Sequence, residues 1–432
     1  MVLDERATGV TPHRIQWVGG LALVLYLFLI PFSKGAVETL FFLLLLIWLG
    51  GWKRPLTWEN LRRIPPPTQR VLLFLGLYLG VCAASIFYSS SPELSLRGFI
   101  RKTLEYALLF AIAADLVDQP HIARRSVGAL MAASWFVVLH GFLQEWAIYT
   151  AVYKPQAIDP ILGFPLNYIR MTGPYENPND LATFLMVVGL IAIAWVAERK
   201  TLRIASAHSV LVLLLTGCLI WTQSKGAILG LLGGLVLLAV IHWKRRSILW
   251  GLSGVAVVSI ASFLFISWEH LRDILMLSDV ASQDRMGMWK TAWAMIQARP
   301  LQGHGLNTFM ANYGAYSPDN SHNPAYAHNC FLQMAAETGM IGLGAFLLFI
   351  GRAGSVMWKA LEIPPKSLPP DASTLRTVLA GLVGAIAAFL IQSAFDTNFY
   401  ALRQAALFWT FTGMAMGLAT RLITLKQAFR VL

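Results

Sequence analysis

The chain is broken into long apolar blocks, and that feature constrains what it can fold into more than any other. Runs close to the roughly 20 residues that cross a bilayer lie at 16–33, 36–51, 70–90, 101–117, 126–149, 181–197, 208–223, 225–243, 247–268, 329–351, 377–395 and 402–424. A backbone in lipid must satisfy its own hydrogen bonds, so each block reads as an α-helix. Composition agrees: 13% of the 432 residues are charged and 56% are hydrophobic, whereas soluble domains are about one-quarter charged. The sequence therefore predicts an all-α polytopic membrane protein with twelve transmembrane helices. The first run has no small-residue cleavage site and is expected to stay as a retained helix.

Orientation follows from where the basic residues fall. With both termini inside, the inner face receives Arg6, Arg14, Lys53, Arg54, Arg62, Arg63, Arg70, Arg124, Arg125, Arg199, Lys200, Arg203, the Lys244–Arg246 triplet and the basic residues from Arg352 onward except Arg403. That is 22 of the 34, nearly all in short connections, and the opposite orientation would reverse the bias. The net charge of +12 is thus a matter of topology and of anionic headgroups, and no nucleic acid is needed to explain it. Cys82, Cys218 and Cys330 fall in or beside apolar runs, without metal-ligand or disulfide spacing.

Two connections on the outer side are long, 150–180 and 269–328, and long loops in a compact protein are usually functional. The chain divides accordingly: helices one to nine with the first outer loop over 1–268, the large outer loop over 269–328, and three further helices over 329–432. No internal repeat of the kind many transporters carry is visible. The larger loop holds a helix signal of its own: Met286, Trp289, Trp293 and Ile296 recur at helical spacing and Pro300 ends the run. Such a stripe suits a helix lying on the membrane surface, or equally one packed on the outer domain.

Polar groups collect on this outer side. In "RMTGPYENPNDLATFL", Asn179 or Asp180 can cap the next helix, but capping does not account for Arg170. Lys225 stands at the tight turn of "TQSKGAILG", where a lysine can also snorkel to the interface. Arg285 opens the surface helix and has Asp284 beside it as an available ion-pair partner. In "AYAHNCFLQMAAETGMIGLG", His328 and Asn329 stand at the mouth of an apolar run and Glu337 lies inside it. Polar groups there are expensive and call for a reason. Glu337 falls on the opposite side of an ideal helix from His328, which favours a structural hydrogen-bonding role for it.

Together, cations at a membrane surface suit a phosphate or pyrophosphate headgroup, and a neutral histidine beside them suits general-base catalysis near pH 7. No Asp-x-Asp marks a metal-bridged diphosphate, so the cations themselves would stabilise the leaving group. A zinc site from His304, His322 and His328 has neither an HExxH motif nor a cysteine pair behind it.

These residues resemble the O-antigen ligases, in the superfamily that also holds O-antigen polymerases and bacterial protein O-oligosaccharyltransferases. "HNCFLQMAAETGMIG" is similar to that family's pattern at His328, Asn329, Leu332, Gln333, Glu337, Gly339 and Gly342. "RMGMWKTAWAMIQARPLQGHGLNTF" and "RMTGPYENPND" are similar to its upstream segments. One position departs: Ser224-Lys225-Gly226 stands where the family often has Ser-Arg-Gly, which keeps the charge and loses the planar fork.

The resemblance implies a GT-C-like glycosyltransferase of a Gram-negative inner membrane, with a periplasmic active site and no metal or other cofactor. The donor would be a glycan on undecaprenyl pyrophosphate, the acceptor a sugar of the lipid A-core. His328 would act as base, with Arg285 as its catalytic partner on the leaving group. Arg170, Lys225, Asn329 and Asn179 would bind substrate, and transfer would invert the anomeric centre. A polymerase or a protein O-oligosaccharyltransferase would use the same donor site. A transporter of lipid-linked glycans would instead favour internal repeats and charges at mid-membrane depth.

Overall fold

The computed structural model describes residues 12–51, 66–117, 120–150, 170–197, 202–241, 280–317, 326–369 and 372–429. Among these the protein is helical, without strands. In chain order the helices are α1 Pro12–Leu29, α2 Lys34–Gly51, α3 Pro66–Ala84, α4 Pro92–Gly98, α5 Glu105–Leu116, α6 Pro120–Thr150, α7 Pro178–Ala197 and α8 Leu202–Trp221. There follow α9 Lys225–Ile241, α10 Val280–Ala298, α11 Phe309–Tyr316, α12 Cys330–Leu361, α13 Ala372–Ser393 and α14 Leu402–Phe429.

Every apolar run but 247–268 lies on one of these helices. That run, the Lys244–Arg246 turn, His322 and most of the two long loops lie outside the described residues. Among the described residues six helices are long and apolar enough to cross a membrane, and three shorter apolar ones, Trp17–Leu29, Ala207–Trp221 and Lys225–Ile241, accompany them. Turns at Ile30–Ser33 and Thr222–Ser224 separate the closely spaced runs 16–33 from 36–51 and 208–223 from 225–243.

Small residues set the closest helix contacts. On α9, Gly226, Gly230 and Gly234 recur every fourth residue and face α13; a Cβ at Gly230 would meet the Ala388 carbonyl at 2.6 Å, and one at Gly234 the Gly384 carbonyl at 3.0 Å. Gly413 and Gly417 of α14 sit in the same way against the Phe110 and Ala114 carbonyls of α5. Lipid supplies no hydrophobic drive between helices, so such stripes let backbones approach and gain dispersion contacts. The stripe on α9 brings its N-terminus onto the C-terminal end of α13.

A break in α12 shapes the outer end. Gly339 adopts φ 70° and ψ 179° inside the helix, a left-handed conformation that suits glycine. The break frees the carbonyls of Ala336 and Glu337 and the amides of Met340 and Ile341. All four are taken by the loop after α10: His304 N donates to Ala336 O at 3.0 Å, Gly305 N to Glu337 O at 2.8 Å, Met340 N to Pro300 O at 2.8 Å and Ile341 N to Leu301 O at 3.4 Å. These four bonds pair backbone groups that the kink would otherwise leave buried without partners.

Helix α10 is confirmed in extent but not in orientation. Ala292, Met295 and Ile296 pack with Phe309, Tyr313, Ala327, Ala335 and Ala336 in a small core of their own. Met286 and Trp293 point outward and are exposed. The inward face is therefore Arg285, Trp289, Ala292 and Ile296, spaced i, i+4, i+7 and i+11. The expected apolar stripe is split because α12 buries small residues at close range and leaves the larger Trp293 outside.

Candidate functional site

The turn between α13 and α14, "AFDTNFYA", is where the polar clusters meet. Phe395 Cβ lies 3.1 Å from the position a Cβ would take on Gly226, the residue after Lys225. Its ring is 6.5 Å from that of Trp289, one helical turn beyond Arg285. Next to it, Asp396 Oδ1 lies 3.6 Å from His328 Nδ1. The segments that carry Lys225, Arg285 and His328, more than 40 residues apart, meet at Phe395 and Asp396 through Gly226, Trp289 and His328.

His328 precedes α12 with a positive φ of 49°, uncommon for a non-glycine residue and found at constrained sites. Its neighbour Asn329 is the N-cap, its side chain accepting from Phe331 N and Leu332 N at 3.0 Å each. Gln333 fixes the approach: its Oε1 accepts from Ala327 N at 3.0 Å. The imidazole is 30% exposed while Asp396 is 11% exposed. His328 Nδ1 is buried and makes no hydrogen bond among the described residues, since 3.6 Å to Asp396 is beyond hydrogen-bond length. Asp396 itself is held in place: its Oδ1 accepts from Thr397 N at 2.8 Å. Asn398 is braced by Ser393 Oγ at 2.8 Å. An imidazole with one nitrogen facing a carboxylate and its ring partly exposed is arranged to take a proton on the other nitrogen.

Arg170 and Asn179 form a different unit. The guanidinium donates through Nε to Thr222 O at 2.6 Å and through an Nη to Asn179 Oδ1 at 3.1 Å. It ties the segment before α7 to the turn before α9. The expected capping role of Asn179 or Asp180 belongs instead to Asn177, whose side chain accepts from Asn179 N at 2.8 Å. Proline at position 178 explains the shift, because Pro favours the first helical position and leaves the preceding asparagine as cap. Lys225 is the first residue of α9, half-buried, following Gln223 at φ 53°.

Glu337 is fully engaged. Its carboxylate accepts from Asn307 N at 2.8 Å, Phe309 N at 3.3 Å, Gln333 Nε2 at 3.1 Å and Tyr400 OH at 3.2 Å. The structural role read from the sequence is the one its geometry supports. His304 is buried, with Nε2 3.0 Å from Met295 O and its ring edge-on to Tyr316. Burial holds this imidazole below the ordinary histidine value; the Arg299 charge adds to that, and the bond to Met295 opposes it. It is a strut of the outer loop. Among the described residues no cluster of three metal-ligand side chains occurs.

Sequence reasoning passed over Asp396 as a partner of His328. Its signal was a lone aspartate at the end of an apolar run, and only the pairing of α12 with the α13–α14 turn gives it meaning.

A helical bundle with six helices among the described residues long and apolar enough to cross a membrane defines a multi-pass membrane protein. Residues 210–347, from α8 through the kink of α12, match the family model described as O-antigen ligase. The match spans 138 of the 432 residues, about a third of the chain. No curated protein matches the chain.

Proposed function

We propose that the protein is a glycosyltransferase that moves O-antigen polysaccharide from undecaprenyl pyrophosphate to a sugar of the lipid A-core, on the periplasmic face of a Gram-negative inner membrane. The observation that carries this reading is the convergence of His328, Lys225 and the Arg285 helix on Phe395 and Asp396. The polymerase and protein-glycosylating members of the superfamily would share this donor site, and the acceptor separates them. Both termini would lie in the cytoplasm.

In this mechanism the acceptor hydroxyl oxygen attacks the anomeric carbon of the donor sugar. The new carbon–oxygen bond forms as the bond to the pyrophosphate oxygen breaks, and the electron pair leaves with the pyrophosphate. The acceptor's proton passes to His328 Nε2. Asp396, facing Nδ1, favours the tautomer that carries its proton on Nδ1 and stabilises the imidazolium that forms. Arg285 and Lys225 neutralise the growing charge on the leaving group. Arg170 holds Asn179 and the Thr222 turn, and so sets where Lys225 stands. Asn329 contributes by fixing the helix start, with its amide nitrogen available to the acceptor. Attack opposite the leaving group inverts the anomeric centre.

The test is reconstitution in bilayer discs with lipid-linked glycan and, separately, lipid A-core, a second lipid-linked repeat, or a pilin-like protein, in the presence of EDTA. Glycosylation of lipid A-core is expected. Extension of the repeat would assign a polymerase, modification of the protein an oligosaccharyltransferase, and transfer only after Mg²⁺ or Mn²⁺ is restored would overturn the metal-free mechanism.

A further inference from the structure

Residues Phe99–Leu104 form a π-helix between α4 and α5, a widened turn that is rare and frequently marks functional places. Within it Arg101 is exposed, Lys102 half-buried and Thr103 buried. The Lys102 ammonium donates to Asn307 Oδ1 at 2.9 Å and reaches Tyr326 OH at 3.5 Å. It also sits 5.5 Å from the Tyr326 ring centroid and 5.6 Å from that of Tyr400, within the range where a ring's face attracts a cation. The two rings lie 5.4 Å apart.

Each of these partners leads to the base. Tyr326 lies two residues before His328. Tyr400 lies four residues after Asp396 and is fixed by its bond to Glu337. Asn307, at φ 60°, donates its amide to the same carboxylate and packs so closely on Gly98 that a Cβ there would stand 2.5 Å from Asn307 Cβ. The segment that presents His328 is thus held from behind by Gln333 through Ala327 and from the side by Lys102 through Tyr326.

We infer that Lys102 is a positioning residue for His328, clamping Tyr326 against Tyr400 so that the imidazole is held toward Asp396. The inference rests on the reading of His328 as the base. A lysine that contacted substrate would instead act on donor binding, and its existing bonds to Asn307 and the two tyrosines argue for the clamp.

The experiment compares wild type with Lys102→Met and Lys102→Arg in bilayer discs, by two readouts. The first needs no transfer activity: the rate at which diethyl pyrocarbonate modifies His328, followed by peptide mass spectrometry. The second is the kinetics of glycan transfer. In Lys102→Met the labelling rate should rise several-fold as the segment loosens. The kcat should fall by about 10- to 100-fold, the upper figure being what a misplacement of about 1 Å can cost, with the donor KM little changed. Lys102→Arg, which keeps a cation over the rings, should restore labelling and recover most of the rate. Wild-type labelling in folded Lys102→Met, or a raised KM at unchanged kcat, would overturn the clamp. Should Lys102→Met fail to fold, Tyr326→Leu removes the clamped ring and carries the same two expectations. If wild type transfers no glycan at all, the proposed function fails while the labelling comparison still decides the clamp.

Discussion

Two polar residues of the α12 signature, nine positions apart, are treated in opposite ways. Glu337 is 1% exposed and accepts hydrogen bonds from four groups on three segments. His328 is partly open and leaves Nδ1 without a hydrogen bond, opposite a carboxylate held just out of reach. Buried polar groups in folded proteins are almost always satisfied. A carboxylate that is satisfied on every side is architecture, and an imidazole left short of a partner beside open space is equipped for chemistry. Sequence similarity joins the two in one motif, but the fold surrounds them differently, and the proposed mechanism gives them different work.

The largest expected effect would break that contrast or secure it. His328→Ala should lower transfer by about 10²–10⁴-fold, the usual contribution of a general base, while thermal stability in detergent stays near wild type. Near-normal turnover in a folded His328→Gln protein would remove the base and the mechanism together. Glu337→Ala should do the reverse. It strands buried donors at about 1–3 kcal/mol each, so melting temperature and folded yield should drop and any lost activity should follow the loss of folded protein. A stable but inactive Glu337→Ala would move this residue into the chemistry.

A subtler test uses the second histidine. His304 is held below the ordinary value of 6.5 by burial. The unfolded imidazole takes up a proton as pH falls through that value while the folded one resists, so the unfolded state binds more protons. The stability that His304 contributes is complete above about pH 6.5 and is lost as pH falls toward its folded pKa. With the intrinsic pH dependence of amide exchange divided out, protection factors across residues 299–316 should therefore fall on going from pH 7 to pH 5, and His304→Gln should flatten that dependence. An equal fall in the variant would assign the pH sensitivity to another group.

The smallest effect belongs to Lys34 and Glu176, which pair at 2.8 Å between the start of α2 and the segment before α7. Hydrogen bonding to Lys34 draws the Glu176 carboxyl below its ordinary value, so any stabilisation is present above that value and lost as pH falls through the folded one. Both side chains are more than half exposed, and such pairs contribute less than about 1 kcal/mol. Lys34→Ala should barely move the melting temperature. A large drop would show that this end of the bundle depends on charge more than its burial suggests.

The helices were legible because apolar runs of bilayer length have few alternatives. What escaped was whatever depends on a partner from elsewhere in the chain. The break at Gly339 is hidden inside a continuous apolar run, since the groups that satisfy it come from residues 300–305. The inward face of α10 could not be read from hydropathy, because α12 selects small side chains over large ones there. At the site, His328 announced itself by standing at the edge of an apolar run and Arg285 by opening a helix. Asp396 and Lys102 gave no comparable signal, since their partners lie about 70 and more than 200 residues away. The cap moved from Asn179 to Asn177 for a local reason, the proline between them, which was readable and was given too little weight.

The kink in α12 also fixes where this protein can be cut and recombined. Its first turns, Cys330 to Thr338, exchange backbone hydrogen bonds with the loop that precedes them, while Gly342 onward belongs to the bundle. A domain exchange between relatives that joins sequences at the apparent membrane boundary, Cys330, would pair one parent's loop with the other's kink. It would carry unpaired amides into an apolar setting, at several kcal/mol apiece. The transplantable module runs from the start of α10 through Ile341, and His328 travels with the loop.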